Sequence, residues 1–150
     1  MNLLQSIHKE SISLSLSSTR KADVLEELLD LAMNSGRITD RKSALKSILE
    51  REKKMSTGMH HGLAIPHGKT NGVDRLVAAV GFAPEGIEFD SLDREPSRIF
   101  ILSVSPANRA GPHIQFLAEI SRLLNQPERR ETLLKAESID ACYALLTGEA

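Results

Sequence analysis

The sequence predicts an α/β fold: a single layered domain in which helices flank a mixed sheet of four or five strands. Two observations carry this. Leu76–Phe82 and Arg98–Val104 are apolar, partly β-branched runs of strand length, as in strands buried on both faces. Segments with helical spacing of apolar residues precede and follow them, and no repeat, low-complexity tract or linker divides the 150 residues.

Taken in order, Ile12, Leu14 and Leu16 alternate with Ser11, Ser13 and Ser15, predicting a short half-buried strand with its apolar side chains on one face. From Thr19 the period lengthens, and Ala22, Leu25, Leu28, Leu29, Ala32 and Met33 form a helical face closed by Gly36. A second helix starts at Thr39 or Asp40 and carries the stripe Leu45, Ile48, Leu49. Its last turn gathers Arg51, Lys53 and Lys54, where the helix dipole favours cations. Residues 55–68 are irregular apart from a short strand, Leu63–Ile65, and hold three of the five histidines. Ile87–Phe89 is expected as a further short strand. Pro112 suits the first turn of a helix with Phe116, Leu117, Ile120, Leu123 and Leu124 inward. Pro127 opens another, and Ser138 caps a last one with Ile139, Cys142, Leu145 and Leu146 inward, ended by Gly148.

Composition narrows the function. Hydrophobic residues make up 41% and charged residues 26%, an ordinary globular balance. A net charge of -1 argues against the broad basic face that nucleic acid or an anionic membrane requires. Cys142 is the single cysteine, so no intramolecular disulfide can form, and a reducing cytoplasm is the expected compartment. Met1 to Leu16 lacks the pattern of a signal peptide, and no apolar run has the length of a membrane span.

The chemistry is expected at His67. Pro66 cannot continue a sheet ladder, so the preceding strand should stop and present His67 at its exposed end, with Gly68 leaving room beside the ring. An imidazole there is a nucleophile near neutral pH if its other nitrogen is held by a hydrogen bond. A phosphoryl group on it would need donors. Candidates are Arg51, His113 and the residues around Gly58 and Gly62, with Thr57 and His61 as further contacts. Against this stand a plain surface histidine, a capping role for His113 and a solvated cation at Arg51. Metal ligation by His60, His61 and His67 also competes. Adjacent residues of an extended segment point to opposite faces, and no carboxylate completes a ligand spacing. No metal and no cofactor are therefore expected.

Ser56-Thr57-Gly58 followed by Gly62-Leu63-Ala64-Ile65-Pro66-His67-Gly68-Lys69 resembles the signature of the type-2 IIA domains of the bacterial phosphotransfer system. The resemblance continues through residues 86–93, 99–102, Pro106 and 113–124, covering about 5–147 of a single domain assigned to 1–150. It implies the sheet-and-helix fold of the mannitol IIA domain. It also implies a phosphoryl carrier that accepts phosphate on His67 from a histidine phosphocarrier of the HPr or NPr kind, with His113 and Arg51 beside it. The recipient would be a IIB subunit feeding sugar uptake. Alternatively the phosphorylated and free forms would regulate a kinase or transporter, as in the nitrogen-type branch, toward which a chain without a fused IIB portion leans. A homologous domain that has lost phosphotransfer and only binds is the remaining alternative. The chain departs from the family at His60 (customarily Gly), His61 (Asn or Glu) and Arg94 (Gly).

Overall fold

The structure is a computed structural model that describes residues 6–148. The limits of the expected 1–150 domain and the first five residues of the N-terminal segment lie outside the described residues. Five strands and five helices follow in the order β1 (Ile7–Ser13), α1 (Lys21–Met33), α2 (Arg41–Lys54), β2 (Leu63–Ala64), β3 (His67–Thr70), β4 (Val77–Ile87), β5 (Ser97–Pro106), α3 (Gly111–Leu124), α4 (Pro127–Leu134) and α5 (Ile139–Thr147).

β4 and β5 are antiparallel and central, β1 runs parallel to β4, and β2 and β3 both run parallel to β5 along its other edge. The sheet is therefore mixed, as expected. Alternation along β4 and β5 explains why both read as unbroken apolar runs: Val77, Ala79, Phe100, Leu102 and Val104 face α1 and α2. Ala78, Val80, Phe82, Ile99 and Ile101 face the layer of α3, α4 and α5. Two cores result, one on each side of the sheet. Among the described residues no helix is long and apolar enough to cross a membrane.

Several expectations are corrected. The first strand lies earlier, at Ile7–Ser13, because Ile7 and Ile12 pair with Ala78 and Val80 across an irregular, bulged stretch. Leu16 leaves the strand: it packs with the α1/α2 core, whereas Ile12 and Leu14 belong to the opposite one. The alternation of residues 11–16 thus looked like one face of a strand but spans its end. The helix expected from Thr19 begins at Lys21, and Ala22 is exposed while Val24 takes the inward position. Ile87 is the end of β4, paired with Ser97, rather than part of a separate strand with Phe89. Ile139 is exposed, since as the first residue of α5 it lies beyond the packed turn that buries Cys142 and Leu146.

β3 was not legible, because His67-Gly68-Lys69-Thr70 has neither apolar alternation nor β-branched density. Its position follows from pairing. Leu63 opposes Ile99, Ala64 opposes Phe100, and the same offset resumes at His67 opposite Ser103. Ile65 and Pro66 therefore interrupt one strand without changing its register, and the Pro66 carbonyl still accepts from the Ser103 amide at 3.1 Å. Gly68 does not clear space beside the ring. A Cβ there would lie 2.7 Å from Ile48 Cγ1 and 2.9 Å from the Ile48 amide, so its role is to let α2 approach β3. Gly68→Ala is expected to cost about 1–3 kcal/mol, as overpacking against backbone does, seen as a lower urea midpoint with an unchanged slope.

Candidate functional site

The site is built on the interruption at Ile65-Pro66. His67 Nδ1 lies 3.0 Å from the Ile65 carbonyl. A carbonyl only accepts, so Nδ1 carries the proton, and neutral His67 presents the lone pair on Nε2. Burial lowers the His67 pKa, the Ile65 bond opposes this, and the charges of Arg51 and Lys69 lower it further. The ring is neutral and nucleophilic near pH 7.

The carbonyl that aims it is itself held. The Ile65 amide donates to the Thr57 carbonyl at 3.0 Å. Thr57, buried, donates its amide (2.7 Å) and hydroxyl (2.5 Å) to the two carboxylate oxygens of Glu52. Glu52 in turn pairs with Lys21 Nζ at 2.9 Å. Lys21 and Ser56 also reach the Phe89 carbonyl, at 3.3 and 2.7 Å, which ties the loop to the segment after β4. An ion pair joining α1 to α2, buried on its Glu52 side, thus sets the loop that orients His67.

His113 enters from the first turn of α3, behind Pro112. Its ring centroid is 4.4 Å from that of His67, and its Nδ1 is 3.4 Å from Ser103 Oγ. Burial, then the proximity of His67, Lys69 and Arg51, push its pKa down to about 4, and the positive end of the helix dipole acts in the same sense. Arg51 donates to the Met55 carbonyl at 2.7 Å, closing the C-terminal end of α2, while its charge reaches both rings.

Sequence reasoning thus located three groups that the fold brings together: His67, His113 and Arg51. The remaining candidates shape the loop. The Thr57 donors are engaged by Glu52, the Gly58 amide donates to Ser56 Oγ at 3.0 Å, and the His61 amide donates to Asp93 Oδ2 at 3.1 Å. Gly58 lacks a side chain because a Cβ would fall 2.6 Å from Ser91 Oγ. His61 and Gly62 both have positive φ, 62° and 78°, and the Gly62 carbonyl accepts from Arg98 and Ile99 at 2.7 and 2.9 Å. Arg94 also has positive φ, 63°, a conformation that glycine adopts without strain. Among the described residues no group of three or more His, Cys, Asp or Glu is placed to hold a metal ion, and His60 and His61 are exposed with ring centroids 6.2 Å apart.

Glu52, Lys21, Ser103 and Lys69 escaped the sequence reading. Two signals existed. Glu52 is an acid in the last turn of a helix, where the dipole disfavours it, and Ser103 and Ser105 interrupt an apolar strand.

With this geometry the chain belongs to the family described as phosphoenolpyruvate-dependent sugar phosphotransferase system, EIIA 2, whose model matches residues 5–148. It is a component of a phosphotransferase system. It is 41% identical over 129 residues to the PTS system fructose-specific EIIA component of Haloferax volcanii, covering 86% of this chain and 84% of that one. It is 33% identical over 146 residues to the fructose-specific EIIABC component of Bacillus subtilis, of which it spans only 23%. The nitrogen regulatory protein IIA-Ntr of Neisseria meningitidis superposes with a TM-score of 0.88 at 27% identity, covering 97% of this chain and 99% of that one. IIA mannitol of Escherichia coli, at 22% identity, shares the fold with a TM-score of 0.79 over 93% of this chain and 97% of that one.

Two outcomes follow from the geometry. Glu52→Gln removes the charge that Lys21 and both Thr57 donors use, and is expected to cost about 2–3 kcal/mol by urea unfolding, with faster amide exchange at Thr57 and Ile65. Because both ring pKa values are lower in the folded chain than the ordinary 6.5, the unfolded chain binds more protons below that value. Stability should therefore be full near neutrality and fall as pH drops from 6.5 toward about 4. His113→Gln should flatten that fall in thermal melts, while the His113 C2 proton resonance of the parent chain should stay unprotonated at pH 5.5.

Proposed function

We propose that this chain is a phosphoryl carrier in which His67 Nε2 accepts the group from a histidine phosphocarrier and passes it to a IIB subunit. The observation that carries the reading is the 3.0 Å bond from His67 Nδ1 to the Ile65 carbonyl, which leaves Nε2 as the free nucleophile beside a second neutral imidazole and two cations. In the step itself the Nε2 lone pair attacks phosphorus, and the donor's phosphorus–nitrogen bond breaks with its electron pair returning to the donor ring. The proton stays on Nδ1, hydrogen-bonded to the Ile65 carbonyl, so His67 becomes an N-phosphoimidazolium whose positive charge that carbonyl stabilises. His113, kept neutral, can donate a hydrogen bond to the arriving oxygens without adding a second cation to the His67 ring. The helix start behind Pro112 adds partial positive charge. Arg51 supplies full charge.

The similarity to the fructose-specific EIIA component of Haloferax volcanii supports a sugar route with a separate IIB acceptor. A regulatory switch is the second reading, supported by the likeness to the nitrogen regulatory protein IIA-Ntr over nearly the whole chain. In that case the same phosphorylation sets which form binds a target.

The test mixes the chain with enzyme I, a histidine phosphocarrier and radiolabelled phosphoenolpyruvate. Acid-labile, base-stable label is expected on the parent chain and absent from His67→Ala. Label that persists in His67→Ala, or no label with any carrier, would refute the carrier reading. Onward movement of label to an added fructose-type IIB protein then separates the sugar route from the switch, which would retain it.

A further inference from the structure

β3 has two faces with different tasks. Gly68 and Thr70 turn toward α2, where Gly68 abuts Ile48 and Thr70 Oγ1 meets Ser43 Oγ at 2.9 Å. By strand alternation His67 and Lys69 occupy the other face, toward α3. The unbroken register places Ser103 opposite His67 and Ser105 opposite Lys69. Since Ile99 and Ile101 of β5 pack in the α3 layer, Ser103 and Ser105 share that side of the sheet. A polar row of four residues therefore continues a face that is otherwise hydrocarbon.

One member of this row, Ser105, is unsatisfied, and another, Lys69, is hydrated with its charge in no ion pair of the described residues. Ser105 Oγ is buried with no hydrogen-bond partner, an arrangement that costs stability unless something uses the group. The Lys69 backbone amide is fixed by Ser47 Oγ at 2.8 Å, so the strand position is anchored, but the exposed Lys69 ammonium takes part in no ion pair of the described residues. Arg51 differs: its guanidinium already holds the Met55 carbonyl. The charge of Lys69 is felt at both rings.

We infer that Lys69 is a second phosphoryl-binding cation of the site, its ammonium closing on the non-bridging oxygens when His67 is phosphorylated. The inference rests on the carrier reading of His67. A group with close to two negative charges needs more than one cation to neutralise it. A lysine on the same strand face, two residues from the acceptor, can reach it by rotating its flexible stem while Arg51 keeps the end of α2 closed. Lys69 would then act in the phosphorylated state more than in the free one, shifting the transfer equilibrium toward this chain.

A protein-free donor tests this without involving the docking of a carrier. With phosphoramidate, the phosphorus–nitrogen bond to the departing ammonia breaks as the bond to Nε2 forms, and any role of Lys69 in binding a protein partner drops out. Lys69 is exposed, so its variants are expected to fold, which circular dichroism checks. Lys69→Met should lower both the rate of phosphorylation and the equilibrium phosphorylated fraction relative to donor by about tenfold, as loss of a charged hydrogen-bond partner does, and Lys69→Arg should restore most of it. Unchanged phosphorylation of Lys69→Met by phosphoramidate would overturn the inference. So would a defect seen only with the protein carrier, which would make Lys69 a docking residue. Failure of the parent chain to be labelled by either donor would instead overturn the carrier reading itself.

Discussion

The arrangement depends on the carboxylate of Glu52. It is buried at the end of α2, and four groups converge through it: Lys21 from α1, the amide and hydroxyl of Thr57, and, one hydrogen bond further, the Ile65 amide on the Thr57 carbonyl. Burying a carboxylate is costly unless charge and donors satisfy it. Here they do, and because the donors belong to the loop, satisfying the charge also fixes the loop. The Ile65 carbonyl then has one orientation to offer, and the His67 tautomer follows from it.

This explains how a polar tetrapeptide becomes a strand. Residues 67–70 have little intrinsic preference for extended structure, but β2 has already established the register against β5, and the loop constraint carries the chain past Pro66 into the same offset. Proline removes one ladder donor, yet its carbonyl remains available to Ser103. The interruption frees the Ile65 carbonyl from the ladder, and that freed acceptor is what orients the His67 ring. A continuous strand would have left the histidine with no such partner.

Electrostatically the site holds cations around rings that are themselves neutral. His67 and His113 lie with ring centroids 4.4 Å apart, tilted by 41°, where two imidazolium ions would repel, and burial beside Arg51 and Lys69 keeps both rings uncharged near neutrality. The same field that disfavours a proton on the rings favours a dianion beside them. A positive environment is thus maintained without protonating His67, a condition that suits the proposed phosphoryl transfer.

The residues that carry the family signature, His67 with Pro66 and the glycines around it, were legible in the sequence. So were His113 behind Pro112, the capped helices and the two apolar central strands, because each rests on local chemistry: a missing amide, a permissive backbone, a period of 3.6 or unbroken hydrocarbon. The start of the first strand and the side to which Leu16 packs were not, since a bulge shifts which residues face which layer. Nor was β3, whose composition is that of a loop. Above all, the partnership of Glu52 with Lys21 and Thr57, and the placing of Lys69 opposite Ser105 across the sheet, depend on elements distant in the chain. Only tertiary structure decides such pairings, because a carboxylate at a helix end has solvent as its default partner until packing removes the water and supplies a specific one, and a lysine in a polar stretch has no strand face until pairing assigns it one.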